Sequence, residues 1–133
     1  MNGLTILNYS HPLTEEQRQE IERLTGWAIE RVLDIPAQFD SDATFIAQGE
    51  ALIAATPLDA GAWQSAPLLV NLPSLAPIAG VTLALILGRR GHLPSMLRLK
   101  PVRDGGVTAF AVAEIIDLDD LRNRARAHRF DAG

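Results

Sequence analysis

With 133 residues, 47% of them hydrophobic and 21% charged, the chain is long enough to bury one core and too short for two, and its composition excludes a disordered segment. The absence of cysteine removes disulfides and thiolate metal sites, and Met1-Asn2-Gly3 leads straight into a strand-like run without a basic region or cleavage site, so a reducing, cytoplasmic setting is expected. A formal charge of −4 argues against the stripe of phosphate contacts that holds duplex nucleic acid, and the longest apolar stretch, Leu75 to Leu87, runs 13 residues where a membrane helix takes about 20.

Leu4 to Tyr9 (LTILNY) is a short apolar run with β-branched and aromatic members, stopped by Ser-His-Pro, and predicts a buried strand. Thr14 stands three residues before Gln17, the Thr-x-x-Gln form of a capping box, with Glu15 and Glu16 in the first turn where the helix dipole favours acids. A helix is expected from there, with Ile21, Leu24, Ala28 and Val32 on its apolar face and Trp27 widening it. Val32 to Phe39, interrupted by Asp34 and Pro36, predicts a short outer strand with an irregular end. Asp42 then caps a second helix that runs to about Thr56, with Phe45 or Ile46, Gly49, Leu52 and Ile53 as its stripe.

Leu58 to Ala66 reads as a loop with one helical turn around Trp63, a packing lid. Pro67 to Leu72 is almost wholly apolar and ends abruptly in Pro73-Ser74, as a central strand does. The helix after it is expected from about Pro77 to Gly88, with Ser74 or Ala76 near its cap and Arg89 and Arg90 where cations complement the C-terminal dipole. Being apolar nearly all round, it must be covered on more than one side, and an interface between subunits is the expectation. Met96 to Arg103 and Val107 to Asp117, joined by Asp104-Gly105-Gly106, predict a β-hairpin in which Glu114 faces Arg98 or Lys100. A last helix opens at Leu118 or Asp119, acids first and arginines later. The order βαβαβα, hairpin, α predicts one α/β domain over residues 1–133 with a doubly wound, mainly parallel sheet.

Ligands of open α/β sheets sit outside the C-terminal strand ends, where helix N-termini and free loops converge. Three loops qualify: Asn8 to Thr14, Gln38 to Asp42 and Asn71 to Pro77. The candidate binding residues are therefore Asn8, Tyr9, Ser10 and His11 from the first, Gln38 and Phe39 from the second, and Asn71, Leu72, Pro73 and Ser74 from the third. Adjacent side chains rarely reach each other, so Ser10-His11 has the ordinary reading of a polar strand end, and Asn71 that of a turn stabiliser. Neither a Walker loop nor Gly-x-Gly-x-x-Gly follows the first strand, and His11, His92 and His128 have no ligand-spaced neighbours, so no metal and no cofactor is expected. The arginines from Arg122 to Arg129 read as a solvated face.

The segments Leu7 to Thr14, Gln38-Phe39-Asp40, Pro67 to Pro73, Gly88 to Pro94 and Ala113 to Leu118 together resemble a family of small accessory proteins encoded beside type III CRISPR systems. The likeness covers nearly the whole chain and rests on the order and spacing of these pieces. It implies a Rossmann-like relative of the CRISPR-associated Rossmann-fold (CARF) sensor domains, a homodimer that binds a cyclic oligoadenylate, with cyclic tetra-adenylate the leading ligand and ligand-driven assembly beyond the dimer left open. A two-fold ligand suits a two-fold dimer. Within that resemblance Asn8, Gln38 and Asn71 are the amides to read adenine, and the protein either sequesters the messenger, damping antiviral signalling, or acts as a ring nuclease. The nuclease would set a ribose 2′-hydroxyl in line with its phosphate without metal and release linear di-adenylate, with His11 as the candidate base. Sequestration is preferred, because the rim lacks a lysine and a base–electrophile pair. A third reading is a protein-interaction module that uses the apolar helix 75–87 and binds no nucleotide.

Overall fold

The computed structural model describes residues 3–132. Among them, five strands form one mixed sheet in the order β2-β1-β3-β4-β5, parallel except for the last pair, with five helices around it. The architecture is α/β. β1 (Leu4–Asn8) is buried along its whole length, and its alternate side chains feed two cores: Leu4 and Ile6 face one side of the sheet, Leu7 the other.

α1 (Glu15–Thr25) opens on the expected capping box, with Gln17 N–H donating to Thr14 Oγ1 at 3.1 Å and Thr14 N–H donating to Gln17 Oε1 at 2.9 Å. The helix ends sooner than the apolar spacing predicts. Gly26 takes a left-handed conformation (φ 71°) and gives its N–H to Glu22 O, while the Glu22 carboxylate accepts the Ile29 N–H at 2.7 Å and turns the chain into β2 (Ile29–Asp34). Ala28 and Val32 are therefore not helical, Trp27 is exposed, and the second strand lies earlier than the expected Val32–Phe39. Past β2 the chain leaves the sheet, although Ile35 still enters the core.

Thr44, not Asp42, caps α2 (Phe45–Ala54), accepting the Ala47 N–H, while Asp42 gives its own N–H to Asp40 Oδ1 in a turn. Gly49 is where α2 meets the helix after β3: a Cβ there would stand 2.6 Å from Val81 Cγ1, so the close approach depends on the missing side chain. Trp63, on α3 (Ala60–Ser65), is 2% exposed and belongs to the core beneath α2 rather than lying over it.

β3 (Leu68–Asn71) is wholly buried and leads into α4 (Ala76–Arg90). Ile78, Thr82 and Ile86 of α4 face inward, and the contact at Gly49 covers a second flank with α2. This packing accounts for much of the helix's apolar character. What remains outside is a narrow strip that includes Gly80, Ala84, Leu87 and Gly88. β4 (Ser95–Asp104) and β5 (Val107–Asp117) form the expected hairpin, turned by Gly105 (φ 60°) and Gly106 (φ 85°), the positive pair that a two-residue type I′ turn requires. Arg98 faces Glu114 with 2.7 Å between Nε and Oε2. α5 (Leu118–Ala127), capped by Asp117, buries none of its residues.

One length mismatch shapes the surface. β4 has ten residues and β3 four, and only Ser95 and Met96 pair with β3. The rest of the hairpin continues past the C-terminal end of the sheet as a two-stranded arm, with Ala113 as an extra residue on β5 between the pairs Arg98–Glu114 and Leu99–Val112.

Candidate functional site

The C-terminal ends of the three parallel strands β2, β1 and β3 carry Asp34, Asn8 and Asn71, which stand opposite one another in register. Their side chains join in a row. Asn8 Nδ2 donates to Asp34 Oδ1 at 2.7 Å, and Asn71 Nδ2 donates to Asn8 Oδ1 at 2.9 Å. The same Asn8 amide gives its other proton to His11 O (2.9 Å) and accepts the Ser10 N–H (3.2 Å). Both donors and both acceptor positions of Asn8 are spent, and the residue is fully buried. Asn8 is thus the anchor of the Ser10-His11 loop.

Tyr9 points the other way. Its ring lies in the core with Leu52, Ile53 and Trp63, and its hydroxyl sits 2.8 Å from Thr56 Oγ1. Thr56 gives its single hydroxyl proton to Leu52 O, so Tyr9 is the donor of the pair. Burial pushes the Tyr9 phenol up to about 12.

Above the row lies a cleft of about 790 Å³. One wall is the rim: Ser10, His11 and Pro12 after β1, and Asn71 at the end of β3 with Leu72 and Ser74 after it, on the two sides of the point where the strand order reverses. The second wall is the hairpin arm, which contributes Leu99, Ala109 and Phe110. The start of α1 closes one end with Thr14, Glu15, Glu16 and Gln17. Gln17 ties these parts together, because its Oε1 completes the helix cap while its Nε2 donates to Phe110 O at 2.8 Å, holding the arm to α1. Close by, α4 begins without a side-chain cap at Leu75, leaving first-turn N–H groups free of any capping side chain.

The structure thus gathers two of the three expected loops. Ser10, His11, Asn71, Leu72 and Ser74 line the cleft. Asn8 and Tyr9 lie beneath it or face away, and Pro73, though buried, is not in its wall. Gln38 is exposed outside the cleft, and Phe39 packs against the core and meets the ring of Phe45 edge-on at 6.5 Å. Ser10 and His11, although adjacent, do not bond to each other through their side chains; the Asn8 amide holds them through the Ser10 N–H and the His11 carbonyl.

Comparison of the chain with family models, curated proteins and solved structures finds no match. The chemistry therefore has to be read from the cleft itself. Its lining holds hydroxyls, an imidazole, two amides and two carboxylates, but no lysine or arginine. Among the described residues no group of three or more His, Asp or Glu side chains converges as metal ligands do. Such a site suits a ligand with a flat apolar part and several hydrogen-bonding edges.

Sequence reasoning did not find the arm wall. Leu99, Ala109 and Phe110 look like ordinary hairpin positions, and Gln17 looks like a cap and nothing more. The expected strands, Pro67 to Leu72 and Met96 to Arg103, differ too little in length to announce an arm; the overhang comes from the observed ten-residue β4 beside the four-residue β3.

Proposed function

We propose that this protein is a Rossmann-like, CARF-related domain that binds cyclic tetra-adenylate in the rim cleft and sequesters it. The observation that carries the reading is the cleft's pairing of a polar rim, at the reversal of strand order, with an apolar arm. A flat base needs both. The Glu15 and Glu16 carboxylates at one end are acceptors suited to the adenine amino group, and the uncapped start of α4 offers backbone N–H groups suited to a phosphate. The likeness to the type III CRISPR accessory proteins supplies the identity of the ligand.

The homodimer belongs to the same proposal. The exposed strip of α4 carries no charge between Leu75 and Gly88, so a two-fold axis through it brings no like charges together. Capture is favoured over cleavage because the cleft lining places no lysine or arginine beside His11 to stabilise the charge that builds on a phosphate under attack. Purified protein at micromolar concentration, incubated with labelled cyclic tetra-adenylate, is expected to retain the ligand intact. Release of linear di-adenylate would make the protein a ring nuclease, with His11→Ala the variant to slow it. Failure to retain any ligand would sink both readings and leave the α4 strip as a protein-docking face.

A further inference from the structure

We infer that Phe110 is the stacking platform of the cleft, the residue against which a flat heteroaromatic ring of the ligand lies. Phe110 is a large aromatic side chain left 55% exposed on the wall of a cleft, and it is the one Phe, Tyr or Trp among the residues that line that cleft. More than half of the Phe110 surface is left in water at that position, and a ligand ring would cover it. Its backbone is not loose, because the Gln17 side-chain amide, itself on a buried residue, bonds the Phe110 carbonyl at 2.8 Å. That bond fixes the arm at this point relative to α1 and therefore to the rim. Across the cleft from the ring stand Ser10, His11, Asn71 and Ser74, all able to hydrogen-bond, with Leu99 and Ala109 extending the apolar wall on the arm side. A ring held face-on to Phe110 can turn its polar edge toward these groups. Stacking of this kind tolerates any base, so the rim rather than the arm sets which ring is accepted.

The identity of the ring as adenine rests on the function proposed above, whereas the role of Phe110 rests on the cleft alone, and two measurements keep them apart. In the first, cyclic tetra-adenylate binding is compared across variants. Phe110→Ala is expected to weaken it at least about tenfold, Phe110→Tyr to leave it within about twofold, and Phe110→Leu, which keeps apolar bulk without a π face, to fall near alanine. Full retention by Phe110→Leu would overturn stacking. The second uses free adenosine at millimolar concentration and the wild-type protein. The Phe110 ring resonances and the adenine H2 and H8 protons should shift together, the latter upfield as protons over an aromatic ring do. Shifts at the rim with Phe110 unmoved would overturn the assignment even where adenosine binds, and a wild type that ignores both probes would remove the adenylate reading and the platform together. Because Phe110 is half outside the protein, the three variants should unfold within a few degrees of the wild type. A variant that instead changed the sedimentation coefficient with ligand affinity intact would make Phe110 a contact between chains and sink the inference.

Discussion

Tyr9 and His11 are two residues apart and belong to opposite kinds of environment. Tyr9 lies on the sealed side of the sheet, in a core closed by α2, α3 and α4, where its one polar atom is satisfied by Thr56. His11 lies on the open rim, exposed, with its loop fixed from below by the Asn8 amide. The contrast shows that a contiguous polar sequence is not a contiguous site. On a continuing strand Tyr9 and His11 would share a face, but β1 ends at Asn8, and the Asn8 amide turns the Ser10-His11 loop out to the rim while Tyr9 stays in the core.

The contrast can be broken first at the sealed side. Trp63→Ala empties the centre of that core and is expected to lower the unfolding free energy in urea by about 3–5 kcal/mol, leaving little folded protein to bind anything. A loss under about 1 kcal/mol would mean that the tryptophan is a lid after all. Next comes pH. The Tyr9 phenol has a raised value in the folded chain, about 12 against 10.0, so its stabilising effect is complete below pH 10 and is lost as the pH rises through the folded value. The unfolding free energy should therefore fall by about 3 kcal/mol between pH 10 and 12, followed by circular dichroism, and Tyr9→Phe should flatten that slope. The smallest effect lies at the boundary between the two regions. Asn8→Ala leaves Asp34, Asn71, the Ser10 N–H and the His11 carbonyl without their shared partner, and is expected to cost about 1–3 kcal/mol. Binding should suffer more than stability, because the Ser10-His11 loop loses its anchor. An Asn8→Ala protein with unchanged ligand affinity would show that the rim does not depend on the row beneath it.

Local chemistry made several features legible in the sequence. The Thr14–Gln17 capping box, the Pro67 to Leu72 strand and the Gly105-Gly106 hairpin each rest on interactions between near neighbours, and the structure contains all three, with the strand one residue shorter at each end. The sequence pattern places the second strand too late, because the spacing of Ala28 and Val32 continues the helical period of α1 and only the left-handed Gly26 stops it. Asp42 and Thr44 are both good caps, and the local pattern gives no preference between them. The arm was illegible for a different reason. Gln17 and Phe110 are 93 positions apart, and nothing in the neighbourhood of either residue announces the other. Half the cleft is made by that contact.

The overhang of the hairpin has a thermodynamic side. A two-stranded ribbon has little stability of its own, and beyond Met96 this one has no third strand to lean on. Its order comes from the Gln17 bond, from Leu99 and Val112 packed against the core, and from a ligand in the cleft. Occupancy and order are then two readings of one equilibrium, since a ligand that binds only the docked arm raises the free energy of undocking by an amount set by its own concentration. Amide exchange over Leu99 to Phe110 would slow on binding in proportion, so the arm would report the ligand's presence even where the ligand itself goes unseen.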